Sequence, residues 1–228
     1  MTFRIGLLVF PDITQLDATG PYEVFIKFPR AEVRLIWKSL EPVKAGGGML
    51  LTPDTAFADC PQLDLICVPG GAGMNPLLND EETLNFVRAQ AAGAKYVTSV
   101  CTGSLVLGAA GLLKGKRATC HWMSAHMLEA FGAIPVAERV VRDGNIITGG
   151  GITAGIDFAL AVAAEILGED TARAIQLGLE YDPQPPFDSG SPARADSALV
   201  ERARSAAAAR QRDREAAVEL AANRALES

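Results

Sequence analysis

The chain has 228 residues, enough for one large α/β domain, and its 49% apolar and 21% charged residues place it away from disordered chains. A formal charge of −6 argues against nucleic-acid binding, which usually rests on a basic patch that releases counterions from phosphates. No apolar run approaches the ~20 residues that span a bilayer, so a soluble protein with no membrane partner is expected.

Residues Arg4 to Phe10 form a β-rich apolar run, too short for a signal peptide and ended by Pro11-Asp12. It reads as a strand buried on both faces. Leu16-Asp17-Ala18-Thr19-Gly20-Pro21 follows, which puts Asp17 on a loop at the carboxyl edge of the predicted sheet. A desolvated carboxyl there can hold or deliver a proton; its bland alternative is a hydrogen bond at a helix start. The helix itself is predicted over Pro21 to Phe28, with proline in its first position and Glu23 in solvent.

Leu63 to Val68 reads as a second buried strand, followed by Val68-Pro69-Gly70-Gly71-Ala72-Gly73. Gly70 and Gly71 either aim backbone N–H groups at a reacting atom or serve a tight turn that needs positive φ. The segment lacks the third glycine of a dinucleotide fingerprint. A helix is expected over Asp80 to Ala92, ending at Gly93, and a third strand over Tyr96 to Val100.

Ser99-Val100-Cys101-Thr102-Gly103-Ser104 then leads into a helix over Leu105 to Ala110, the strand–turn–helix context of a nucleophile elbow. Beside a helix N-terminus Cys101 is expected to titrate below the free value of ~8.5, against the alternative of an inert buried cysteine. Cys60, Cys67 and Cys120 read as structural, with no C-x-x-C pair, and reduced thiols suit a cytosol. His121 and His126 are the sole histidines, and no ligand spacing supports a metal site. The spacing gives no support to a Cys101–His121 pair.

Val140 to Arg142, the Asp143-Gly144 turn and Ile146 to Thr148 read as a hairpin. Gly149-Gly150-Gly151 leads into a helix from about Thr153 to Leu167, and lets the backbone approach another group closely. From Ser191 onward the Ala, Arg and Glu content predicts one or two amphipathic helices.

Taken together, the Asp17 segment, Pro69-Gly70-Gly71, Val100-Cys101-Thr102-Gly103, Thr119-Cys120-His121-Trp122, Gly151 to Asp157 and Tyr181-Asp182-Pro183-Gln184-Pro185-Pro186-Phe187 resemble the DJ-1/PfpI superfamily, more closely its isonitrile hydratase branch. The resemblance implies an α/β flavodoxin-like (class I glutamine amidotransferase-like) sandwich, with a mostly parallel sheet and helices on both faces. Residues 1–190 would form that domain and 191–228 a helical extension packed on it. It also implies hydration of isonitriles to N-formamides through a cysteine thioimidate, with Cys101, Asp17 and Thr102 catalytic and Gly70, Gly71 and Gly150 at the substrate. No cofactor and no metal are implied, and a cytoplasmic homodimer is.

Protease-like members carry histidine after the nucleophile, where this chain has Thr102, and chaperone and glyoxalase-like members carry glutamate where it has Asp17. Some of these motifs also resemble the sensor domains of AraC-type regulators, but Ser191 to Ser228 is too short and alanine-rich for their DNA-binding unit. A redox-sensing or stress-response protein, or a glyoxalase or deglycase acting on small aldehydes, stays open as the alternative.

Overall fold

The computed structural model describes residues 2–227, with side chains described through 224; Met1 and Ser228, the outer ends of the two predicted units, lie outside the described residues. Strands β1 (Phe3–Leu8), β2 (Ala31–Trp37), β5 (Thr55–Ala56), β6 (Leu65–Val68), β7 (Tyr96–Val100), β10 (Val140–Asp143) and β11 (Ile146–Gly149) form one sheet in the order β10-β11-β7-β6-β1-β2-β5. Every pairing in it is parallel except the β10–β11 hairpin. Two small ribbons stand apart, β3 (Val43–Lys44) with β4 (Leu50–Leu51) and β8 (Arg117–Ala118) with β9 (Ile134–Pro135).

Alternation along β1 and β6 explains why their buried residues are apolar on both faces of the sheet. Ile5, Leu7, Leu65 and Cys67 point into one hydrophobic cluster, while Leu8, Ile66 and Val68 point into another on the opposite face. The first cluster is closed by α1 (Gln15–Phe25), α5 (Ala154–Leu167) and α6 (Glu169–Gly178), with Phe25, Phe28 and Phe158 meeting edge to face. The second is closed by α2 (Met74–Leu77), α3 (Glu81–Gly93), α4 (Gly103–Ala109) and the C-terminal α7 (Ser197–Glu227).

Helix α1 begins six residues before the predicted start, and Asp17 therefore lies in its first turn rather than on a loop. Pro21 is interior to this helix, so the Asp17 carbonyl lacks its usual i+4 donor. Close packing of α1 on α5 accommodates the proline, whose ring lies over Gly155. The C-terminal segment is one helix of 31 residues, seated on α2, α4 and the 3₁₀ stretch Ala125–Phe131. Its buried positions, Ala207, Arg214, Val218 and Ala221, recur at seven, four and three residues and mark one helical stripe. None of the described helices is long and apolar enough to cross a membrane.

Candidate active site

From β1 the chain runs outward to β2 and β5 on one side and then from β6 to β7 and β11 on the other, so the strand order switches between β1 and β6, and the carboxyl ends of β1, β6, β7 and β11 share one edge of the sheet. Open parallel sheets build their sites at such switch points. Cys101 follows β7 directly and has φ of +58°, a left-handed conformation that side chains adopt only when the surroundings enforce it. The enforcement is visible: its N–H lies 3.0 Å from the Gly149 carbonyl and 2.9 Å from that of Gly150. Ser104 Oγ donates to the Thr119 carbonyl at 2.6 Å and lies 3.3 Å from the Cys101 carbonyl. At Gly103 the Val68 and Pro69 carbonyls occupy the space where a Cβ would stand, so the turn can close onto β6 only with glycine.

Helix α1 brings Asp17 to this turn with no solvent exposure. Its Oδ2 accepts the Gly70 N–H at 3.0 Å. Its Oδ1 is buried with no partner of hydrogen-bond geometry among the described residues, and the Cys101 thiol faces the carboxyl. Burial pushes the Asp17 pKa up to about 7, against the lowering effect of Cys101 and the Gly70 amide.

The Cys101 thiol departs from expectation. Burial first, then the Asp17 carboxylate and the Cys120 sulfur, hold it well above the ordinary thiol range, although the N–H groups of Thr102 and Ile152 favour the anion. Helix α4 has only seven residues, and its N-terminus does not outweigh removal from water. With both groups raised, the neutral-pH site holds a thiol beside a carboxyl near its midpoint. The chemistry this permits is transfer of the thiol proton to Asp17 as sulfur attacks.

The other predicted residues converge on the same place in altered roles. Thr102 is buried, its N–H turned to sulfur and its Oγ1 accepting the Gly71 N–H at 3.1 Å. The amides of Gly70 and Gly71, assigned to substrate by the sequence, are thus occupied by Asp17 and Thr102. A Cβ on Gly70 would stand 2.5 Å from Thr102 N and 2.9 Å from Asp17 Oδ2. Gly150 acts through its carbonyl on the Cys101 backbone, and its N–H donates to the Arg139 carbonyl at 2.9 Å.

His121 Nδ1 accepts the Met123 N–H at 3.3 Å, and the ring lies against Gly151 without a hydrogen bond to Cys101. Cys67 and Cys120 are buried and Cys60 half-buried, and all four cysteines are free. The Ile152 N–H is not among the groups that the motifs single out, and three consecutive glycines before a helix are its only signal in the sequence.

An elbow cysteine at the switch point, with a buried carboxyl delivered by the first helix, defines a class. Residues 3–165 match the DJ-1/PfpI family, and the chain belongs to it. It is 63% identical over 208 residues, 91% of each chain, to the isonitrile hydratase of Pseudomonas putida. Against the HTH-type transcriptional regulator GbdR of Pseudomonas aeruginosa it is 35% identical over 78% of this chain, spanning half of that protein's length. The crystal structure of a THiJ/PfpI family protein from Pseudomonas syringae superposes with a TM-score of 0.93 at 42% identity, over 96% of this chain and 91% of that one.

Proposed function

We propose that the protein is an isonitrile hydratase, converting R–N≡C and water to R–NH–CHO with Cys101 as nucleophile. The reading is carried by the 63% identity over 91% of each chain with the Pseudomonas putida enzyme. The geometry supports it, because α-addition to an isonitrile carbon needs one nucleophile and one proton carrier and the site provides both. Asp17 Oδ1 takes the thiol proton as sulfur bonds to the terminal carbon, then returns it to that carbon, giving a thioimidate R–N=CH–S–Cys. Water adds to the same carbon, nitrogen is protonated, and the C–S bond breaks to release the N-formamide and restore the thiol.

The Thr102 and Ile152 N–H groups stabilise charge on sulfur at attack and departure. Gly70 and Gly71 orient the acid and the turn, while Gly150 borders the substrate through the backbone that holds Cys101. No cofactor is required, since the isonitrile carbon is itself electrophilic toward sulfur. Incubation with cyclohexyl or p-nitrophenyl isocyanide should yield the matching formamide by chromatography. No product above buffer, with methylglyoxal consumed instead, would transfer the site to aldehyde chemistry.

Gly70→Ala should reduce formamide formation by about 10²-fold, because a methyl between Asp17 and Thr102 displaces the acid from sulfur. Initial rates at fixed substrate check this, and near-normal rates would detach Gly70 from the site.

The reading extends to a cytoplasmic homodimer. Four free thiols suit a reducing compartment, and Leu50, Leu177 and Phe187 leave apolar surface exposed. Light scattering at micromolar concentration should return twice the chain mass of 24.0 kDa. A monomer would remove the dimer from the proposal.

A further inference from the structure

Arg214 is a cation that α7 carries into the interior with only 4% of its surface exposed, and among the described residues no carboxylate pairs with it. Buried charges are ordinarily paired, because removal from water without a counter-charge is unfavourable. Here the guanidinium is fixed by neutral groups instead. Its Nε donates to Asn75 Oδ1 at 3.0 Å and its Nη1 to Ser124 Oγ at 2.9 Å.

Those two partners lie on the segments that follow the two loops packed on the nucleophile turn. Asn75 is on α2, directly after the Gly70–Gly73 loop, and Ser124 follows the Thr119–His121 turn, whose Thr119 carbonyl accepts the Ser104 hydroxyl beside the Cys101 carbonyl. Helix α7 itself packs on α4, which begins at the nucleophile turn.

We propose that Arg214 is a positioning residue of the reaction, its unpaired guanidinium joining the two loops behind Cys101 and placing there a positive charge that favours negative charge on sulfur.

The titratable surroundings agree in sign. Facing Arg214 are Cys120 and His121 from the turn before the 3₁₀ stretch, Cys101 from the nucleophile turn, and Arg210 from α7; α2 contributes the uncharged Asn75. Facing Cys101 are Asp17 from α1 and the Cys120 sulfur, both opposing ionisation. Burial lowers the Arg214 pKa, and the two sulfurs raise it again, as attraction between guanidinium and thiolate requires. The same charge keeps the half-buried His121 below its usual pKa, after burial itself.

The inference deepens the hydratase reading, but its test measures alkylation and so survives failure of the isocyanide assay. The rate of Cys101 modification by iodoacetamide, followed by mass spectrometry in short pulses from about pH 6 to 12 because the thiol titrates above the ordinary range, gives a midpoint for the thiolate. Arg214→Gln should raise that midpoint by about one pH unit, and Arg214→Lys, which keeps the charge, should restore most of it. Asn75→Asp covers the case in which the Arg214 variants fail to fold. It keeps the shape, supplies the missing counter-charge, and should raise the midpoint while the melting temperature holds or rises. A midpoint for Asn75→Asp that superimposes on the parent overturns the inference, as does a folded Arg214→Gln with an unshifted profile, since a purely structural arginine would move the melting temperature alone.

Discussion

Cys101→Ala should reduce formamide production to the buffer rate, a loss of at least about 10³-fold, while the protein stays folded. No other thiol can substitute. Burial holds Cys67 and Cys120 near pKa 12 and pushes Cys60 up to about 11; the Cys101 thiol is raised too, but it alone of the four faces the Asp17 carboxyl that can take its proton. The left-handed backbone at position 101 is imposed by the Gly149 and Gly150 carbonyls and by the close approach at Gly103, none of which involves the sulfur. Alanine therefore inherits the same turn, and the melting temperature should remain within a few degrees of the parent. Chromatographic product assay and a thermal melt on one preparation check both halves. Turnover surviving in a folded Cys101→Ala would exclude the thioimidate route, whatever the rest of the site does.

The parts of this site that the sequence disclosed are those set by local chain chemistry. Buried parallel strands are rich in β-branched and apolar residues, so Leu65 to Val68 and, despite Thr98 and Ser99, Tyr96 to Val100 announce themselves, and the small residues after Val100 announce the turn. The start of α1 was hidden because Thr14 makes no side-chain cap and because Pro21, a residue that usually opens helices, lies within this one. Asp17 was found by motif, but its place in a first helical turn follows from packing of α1 on α5.

The direction of the Cys101 shift was likewise out of reach. A helix N-terminus is legible as a string of residues, whereas complete enclosure of a thiol beside a carboxyl arises only when α1, β7 and α5 are assembled. Arg214 was the least visible. It stands in an alanine- and arginine-rich helix beside Arg210 and Arg212, and nothing local distinguishes a buried arginine from its solvated neighbours.

Asp17→Asn should separate stability from function by moving them in opposite directions. The native pKa of about 7 lies above the unfolded carboxyl value near ~3.9, so between these limits the native chain holds a proton that the unfolded chain has released. Stability contributed by the neutral carboxyl is therefore present at low pH, is lost as pH rises toward 7, and changes little above it. Asparagine cannot ionise, and its side-chain oxygen can still accept the Gly70 N–H. The variant should gain on the order of 1–3 kcal/mol over the parent at pH 8 and show none of this pH dependence, by urea denaturation at several pH values.

Turnover should move the other way, falling by about 10²-fold or more, because no group remains to carry the proton from sulfur to carbon. In the parent, kcat/KM should rise as pH passes through about 7, where Asp17 becomes able to accept that proton. The thiol should stay alkylatable in Asp17→Asn, with its midpoint lowered, since the carboxylate that opposes its ionisation has gone. Asp17→Glu should also be impaired, because an added methylene has no room between Gly70 and the sulfur. Near-normal formamide production by Asp17→Asn would make the carboxyl a structural residue of α1 and remove the proton path proposed for it.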